Sequence, residues 1–198
     1  MRIFFRALLI ALVFSASAGA AKASPADMIG TYHNHLLAAL AQPSSTSAQT
    51  RFDNLSSTMD ASFDFESMIK TAAGKYWREA TPQAQKSLLA AFRRVSIATY
   101  ANRFADLTSG QFRTDRTRDG PRGLKLVDTT LVSGKDNVVL TYVTREINNS
   151  WKIIDVLLSG GISELAVRAS EYASTLKNGG VPALTDVLNA QAKGLLAH

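Results

Sequence analysis

The spacing of apolar residues in this chain changes from a helical period to a strand period at Gly110, and returns to a helical one after Gly160-Gly161. Helices, then strands, then helices restrict the fold to the α+β class: a curved antiparallel sheet of three to four strands packed against several helices. Before the switch, Pro25, Ile29, Tyr32, Leu36, Leu37 and Leu40 lie three or four apart on one helical stripe, which Gln42-Pro43-Ser44-Ser45 ends. Phe52, Leu55, Met59 and Phe63 mark a second stripe, and Phe65, Met68, Ile69 and Ala72 a third, followed by Tyr76 and Trp77. Thr81 then caps a helix opened by Pro82, whose face Leu89, Phe92, Ser96, Tyr100, Phe104 and Leu107 repeats over about 25 residues.

After the switch, short β-branched and aromatic runs predict strands over Phe112 to Arg118, Leu124 to Val132, Val138 to Arg145 and Trp151 to Leu158. Their short links, Asn148-Asn149 among them, make an antiparallel meander. Leu165, Ala169, Tyr172, Ala173 and Leu176 form a helix ended by Asn178-Gly179-Gly180, and Leu184, Val187, Leu188 and Leu195 a final one.

At the other end of the chain, Arg2 and Arg6 precede the apolar run Ala7 to Ala18, and Ala21-Lys22-Ala23 offers small residues for cleavage. This pattern is that of a secretory signal peptide over residues 1–23, with Ala18 and Ala20 as alternative cleavage points, leaving a single domain over 24–198. A dozen apolar residues fall short of the ~20 that span a bilayer. Removing residues 1–23 takes away Arg2, Arg6 and Lys22 and leaves 19 Lys+Arg against 16 Asp+Glu, so the +6 of the whole chain becomes +3. That modest, scattered charge argues against a nucleic-acid partner. Cysteine is absent, which excludes thiol catalysis and Cys-type zinc sites.

No Gly-rich phosphate loop, G-x-S-x-G elbow, H-E-x-x-H or Asp-rich calcium loop occurs, and this weakens an enzyme reading. His33 and His35, two apart on a helix, point too far from one another to hold one ion. The strands carry more information. Val138, Val139 and Leu140, and Ile153 to Leu158 apart from Asp155, are apolar in succession, which predicts cover on both faces of the sheet. The space between the sheet and the long helix is then either a plain core or an apolar cavity for a hydrophobic ligand. Asp155, inside an apolar strand, calls for a partner such as Arg103 or Arg145, or else serves as a general base. Arg113, Arg116, Arg118, Arg122 and Lys125 form either a solvated edge or a surface attractive to phosphate head groups or an acidic partner.

Several segments, taken in order, resemble the periplasmic phospholipid-binding family that includes MlaC and the toluene-tolerance proteins, with the hopanoid-associated HpnM proteins as a branch. Lys75-Tyr76-Trp77-Arg78-Glu79-Ala80-Thr81-Pro82-Gln83, then Leu88 to Phe92 and Tyr100, is similar to the family's approach to its long helix. Trp151-Lys152-Ile153-Ile154-Asp155-Val156, leading into Gly160-Gly161-Ile162-Ser163, is similar to its W-x-x-x-D strand and G-V-S turn, and Glu171 to Leu188 to its tail. Ile162 stands where the family has Val.

The resemblance implies an apolar pocket, no cofactor and no catalysis, and a lipid passed between an inner-membrane ABC transporter complex and an outer-membrane lipoprotein complex. A phospholipid is the implied ligand, and the hopanoid branch adds a polycyclic lipid. The expected lining is Trp77, Phe92, Tyr100 and Phe104 from helices, Leu126, Val139 and Leu140 from the middle strands, Trp151, Ile153, Ile154 and Val156 from the last, and Ile162 at the turn. Two rivals stand beside it: an α+β enzyme using Asp155 and Tyr142 on a hydrophobic substrate, and a periplasmic adaptor with a filled core.

Overall fold

In the computed structural model, which describes residues 23–41, 43, 45–103, 110–133, 136–159 and 161–197, the first helix starts where its cap chemistry dictates. The Ser24 hydroxyl accepts the Asp27 N–H at 3.1 Å and the Asp27 carboxylate accepts the Ser24 N–H at 2.9 Å, a reciprocal capping box that opens α1, Pro25–Leu40. Ser47 caps α2, Ala48–Ser62, and Asp64 caps α3, Phe65–Ala73. Gly74, at φ +54° and ψ −121°, then breaks the helical path, so Tyr76 and Trp77 belong to a separate short helix, α4, Lys75–Glu79. The Thr81 hydroxyl accepts the Ala84 N–H at 3.2 Å and opens α5, Pro82–Arg103. Phe104 and Leu107, expected on the same helix, lie outside the described residues, as does the expected signal segment up to residue 22.

Five strands follow: β1, Gln111–Asp119; β2, Lys125–Ser133; β3, Asp136–Ile147; β4, Ser150–Leu158; and β5, Ile162–Ser163. They pair antiparallel in sequence order as one open sheet. Asn148 and Asn149, at φ +49° and +63°, make the tight β3–β4 turn that needs two left-handed residues. β5 is too short to announce itself by alternation.

The last element, α6, Glu164–Leu196, is two helical arms joined at Gly180, whose φ of +66° and ψ of −162° no other residue type adopts without strain. The sequence ends one helix at this Gly-Gly pair and starts another. The structure keeps both arms and turns the second back, with Pro182 in its first turn.

Register decides which strand residues meet the helices, because partners share a face and neighbours along a strand do not. Val127 pairs Tyr142, and Tyr142 pairs Val156, and these three belong to the core with Leu140 and Ile153. The opposite parity, Leu126 with Val143, Thr130 with Val139, and Asp128 with Thr141, lies on the other face. There Val139 is 48% exposed. The expectation of cover on both faces is thereby corrected: apolar succession at Val138-Val139 reflects an uncovered end of β3, not a buried one.

That open face carries charge. Asp128 accepts from Arg116 at 2.7 Å, from Arg118 at 3.1 Å and from the Thr141 hydroxyl at 2.6 Å, and Arg113 pairs Asp115 at 2.6 Å. Burial pushes the Asp128 carboxyl up, but the hydrogen bonds from Arg118, Thr141 and Arg116 outweigh it and hold the group at about 2.

Candidate ligand cavity

Between the core-facing side of the sheet and the last turn of α5 lies an apolar cavity of about 200 Å³. Leu131, Val138, Leu140, Tyr142, Val156 and Leu158 supply its strand side, Tyr100 its helix side, and Arg103 and Glu164 complete the wall. The strand residues come together by register: Leu131 pairs Val138, and Tyr142 pairs Val156, so three adjacent strands present one continuous apolar surface.

Two further spaces adjoin it. A small recess of about 20 Å³ lies among Phe63, Phe65, Met68, Tyr100 and Val156. A wider groove of about 640 Å³ runs between α5 and both arms of α6, with Val95 and Thr99 on one side, Val167 and Glu171 on the first arm and Gln191 and Leu195 on the second. The turn at Gly180 brings the two arms to the same groove. Glu164 lines all three spaces, and Arg103 and Leu158 line both the cavity and the groove.

The polar groups facing the cavity are held neutral or paired. Burial, and then the negative charge of Glu164, push the Tyr100 phenol above its usual range, and burial likewise raises Tyr142. The Tyr142 hydroxyl lies 3.0 Å from His33 Nε2 on α1, and burial brings the His33 imidazole down to about 3. Both phenols thus remain hydrogen-bonding groups and not anions. Arg103 Nη1 donates to Glu164 Oε1 at 3.1 Å.

Of the residues expected on the lining, Tyr100, Leu140 and Val156 meet at this cavity. Trp77, Phe92 and Ile153 are buried in the core, Phe92 edge-on to Phe65. Leu126 and Val139 stand on the sheet's opposite face by register. Trp151 and Ile154 are half-buried on β4, and Ile162 on β5 is 57% exposed. Phe104 lies outside the described residues. Sequence reasoning missed Leu131, Val138, Leu158 and Glu164; strand parity relative to Leu140 and Val156 is the signal that finds Val138 and Leu158.

Asp155 pairs with neither Arg103 nor Arg145. It accepts the Ser163 hydroxyl at 2.6 Å, the Leu165 N–H at 3.1 Å and its neighbour Val156 N–H at 2.8 Å, fastening β4 to the start of α6. The Arg103 guanidinium is engaged by Glu164 instead. A carboxylate spent on backbone and hydroxyl donors meets the cost of partial burial without a cation.

Among the described residues, no helix is long and apolar enough to cross a membrane. No curated protein matches the chain. The solved structure of the phospholipid-binding protein from Ralstonia solanacearum, in complex with a phospholipid, is similar to it with a TM-score of 0.76 and 24% identity, covering 85% of this chain and 96% of that one. The family model described as MlaC protein matches residues 31–190, four-fifths of a chain whose helices and open antiparallel sheet are those just described, and on that match the chain belongs to the MlaC family.

Proposed function

We propose that this chain is a periplasmic lipid carrier, which holds the apolar part of a phospholipid between its sheet and α5 and passes it between an inner-membrane ABC transporter complex and an outer-membrane lipoprotein complex. The observation that carries the reading is the apolar cavity walled by Leu131, Leu140, Val156 and Tyr100. Family membership supports it, and so does the phospholipid bound by the Ralstonia solanacearum protein of the same fold.

At about 200 Å³ the cavity alone is smaller than the ~300–1,000 Å³ typical of ligand pockets, so two acyl chains need the adjoining recess and groove as well. Roughly thirty methylenes at about 0.8 kcal/mol each cost over 20 kcal/mol to expose to water, which bars an unassisted lipid from an aqueous gap. A carrier removes that barrier without a cofactor. Its pocket need only match the solvation of the bilayer the lipid leaves, so exchange stays reversible and direction comes from the partners. A polycyclic hopanoid-type lipid is the second ligand class within the same reading.

Organic-solvent extraction of protein purified from cells tests this directly. Near one lipid per chain is the expected result; a clean extract from folded protein would favour an adaptor acting only through its surface.

A further inference from the structure

The wall between the apolar cavity and the outer groove contains an ion pair that joins two helix ends. Arg103 closes the last turn of α5, Glu164 opens the first turn of α6, and they meet at 3.1 Å with each lining both spaces. The cavity, at about 200 Å³, is short of what two acyl chains need, and the groove of about 640 Å³ lies beyond the pair.

The two partners are not equally free. Asp155 accepts the Ser163 hydroxyl and the Leu165 N–H, which pins the backbone on either side of Glu164. The Arg103 side chain, 63% exposed against 19% for Glu164, can leave for water with little loss. Glu164 cannot, because a carboxylate largely out of water needs a cation close by. A second cation stands one helical turn along α6. Arg168 lines the groove and the recess that Glu164 also lines, and its place at i+4 sets the two on one helix face with the acid nearer the N-terminus, the favourable order. It is half-buried, donates to the Tyr172 hydroxyl at 3.4 Å, lies 5.9 Å from the Phe92 ring centre and has no carboxylate at ion-pair distance among the described residues. Burial works against its charge, and Tyr172 and Glu164 sustain it.

We propose that this wall is a gate: Glu164 exchanges Arg103 for Arg168, Arg103 swings into solvent, and cavity and groove fuse into one space that admits a two-chain lipid. The proposal rests on the lipid-carrier reading and adds how the site enlarges to take its cargo. The two arginines then act in opposite senses, since Arg103 holds the gate shut and Arg168 holds it open. Two cations with a purely structural role would act in the same sense.

Uptake is read with delipidated protein and phosphatidylglycerol vesicles carrying a pyrene-acyl phospholipid, whose excimer emission falls as the protein withdraws it. Arg103→Gln should load about fivefold faster than wild type and Arg168→Gln about fivefold slower. Effects of one sign, or none, overturn the gate. Because the chain has no cysteine, Arg103→Cys with Glu164→Cys supplies its only two thiols, which a short bis(methanethiosulfonate) bridges. The bridged protein should not load until dithiothreitol cuts the bridge, whereas a monofunctional methanethiosulfonate should leave loading intact. Loading despite the bridge, or equal arrest by the monofunctional reagent, overturns the gate and leaves the carrier reading standing. Absence of uptake in wild type and Arg103→Gln alike also overturns the gate; the carrier reading falls separately, on a clean solvent extract. Should Arg168→Gln fail to fold, the bridged protein decides.

Discussion

Tyr142 and His33, 109 residues apart in the chain, meet with the phenol oxygen 3.0 Å from the imidazole Nε2. The pair fastens α1 to the middle of the sheet beside the cavity, and His33 also stacks on Phe112 of β1 at a ring separation of 3.8 Å. One buried imidazole thereby links a helix to two strands.

This arrangement makes stability pH-dependent. In the unfolded chain His33 takes up a proton near pH 6.5, but in the folded protein only near pH 3, because burial disfavours the charged ring. The unfolded state binds more protons across that window, so this contribution to stability is full above pH 6.5 and falls as the pH drops toward 3, by up to about 5 kcal/mol. Asp128, at about 2 when folded, acts only below the ordinary aspartate range of about 3.9. Urea denaturation between pH 7 and 4.5 should show the decline in wild type and a much flatter profile in His33→Gln. An equal slope in the variant would put the titrating group elsewhere.

Asp155 is expected to act as a structural fastener. Asp155→Asn keeps one acceptor oxygen and loses the other, so one of the Ser163 and Leu165 donors is left unmet at a cost of about 1–2 kcal/mol. Chemical denaturation measures this, with lipid content as a second readout. Unchanged stability would show that these bonds are replaced by water at no cost.

Gly180 supplies the turn between the arms of α6. Gly180→Ala forces a side chain into a backbone region that essentially only glycine occupies, and should destabilise the protein by about 1–3 kcal/mol. Gly194, further along the second arm, has open space where a Cβ would go, so Gly194→Ala should be neutral or stabilising by up to about 1 kcal/mol. Thermal melts of the two variants give the contrast.

Val138 lies at the open end of the cavity and is 40% exposed, so bulk can be added there without crowding the core. Val138→Trp should reduce co-purifying lipid severalfold and keep stability within about 1 kcal/mol of wild type. Full lipid content in this variant would mean that tails do not pass that end of the sheet.

The helix–strand–helix order, the Thr81-Pro82 start of α5 and the four long strands were all legible in the sequence, because period and cap chemistry are local properties. Which face of a strand meets the helices is not local. Leu126 and Val139 read like Leu140 and Val156, and only the pairing register, which shifts between Val143 and Thr144, separates them. The partner of Asp155 was hidden for a related reason: it is a hydroxyl and a backbone N–H on a two-residue strand and a helix start that carry no periodic signal. At Gly180 the residue type was read correctly as a break, but whether a chain stops or doubles back there depends on what the second arm packs against.

The strand at the sheet's long free margin, β1, offers unpaired backbone groups to any neighbour that could extend the ladder. Arg113, Asp115, Arg116 and Arg118 crowd that margin, and an incoming chain would have to strip water from each before its first hydrogen bond formed. The border of the sheet most open to a further strand is therefore also its wettest, which opposes edge-to-edge growth into fibres.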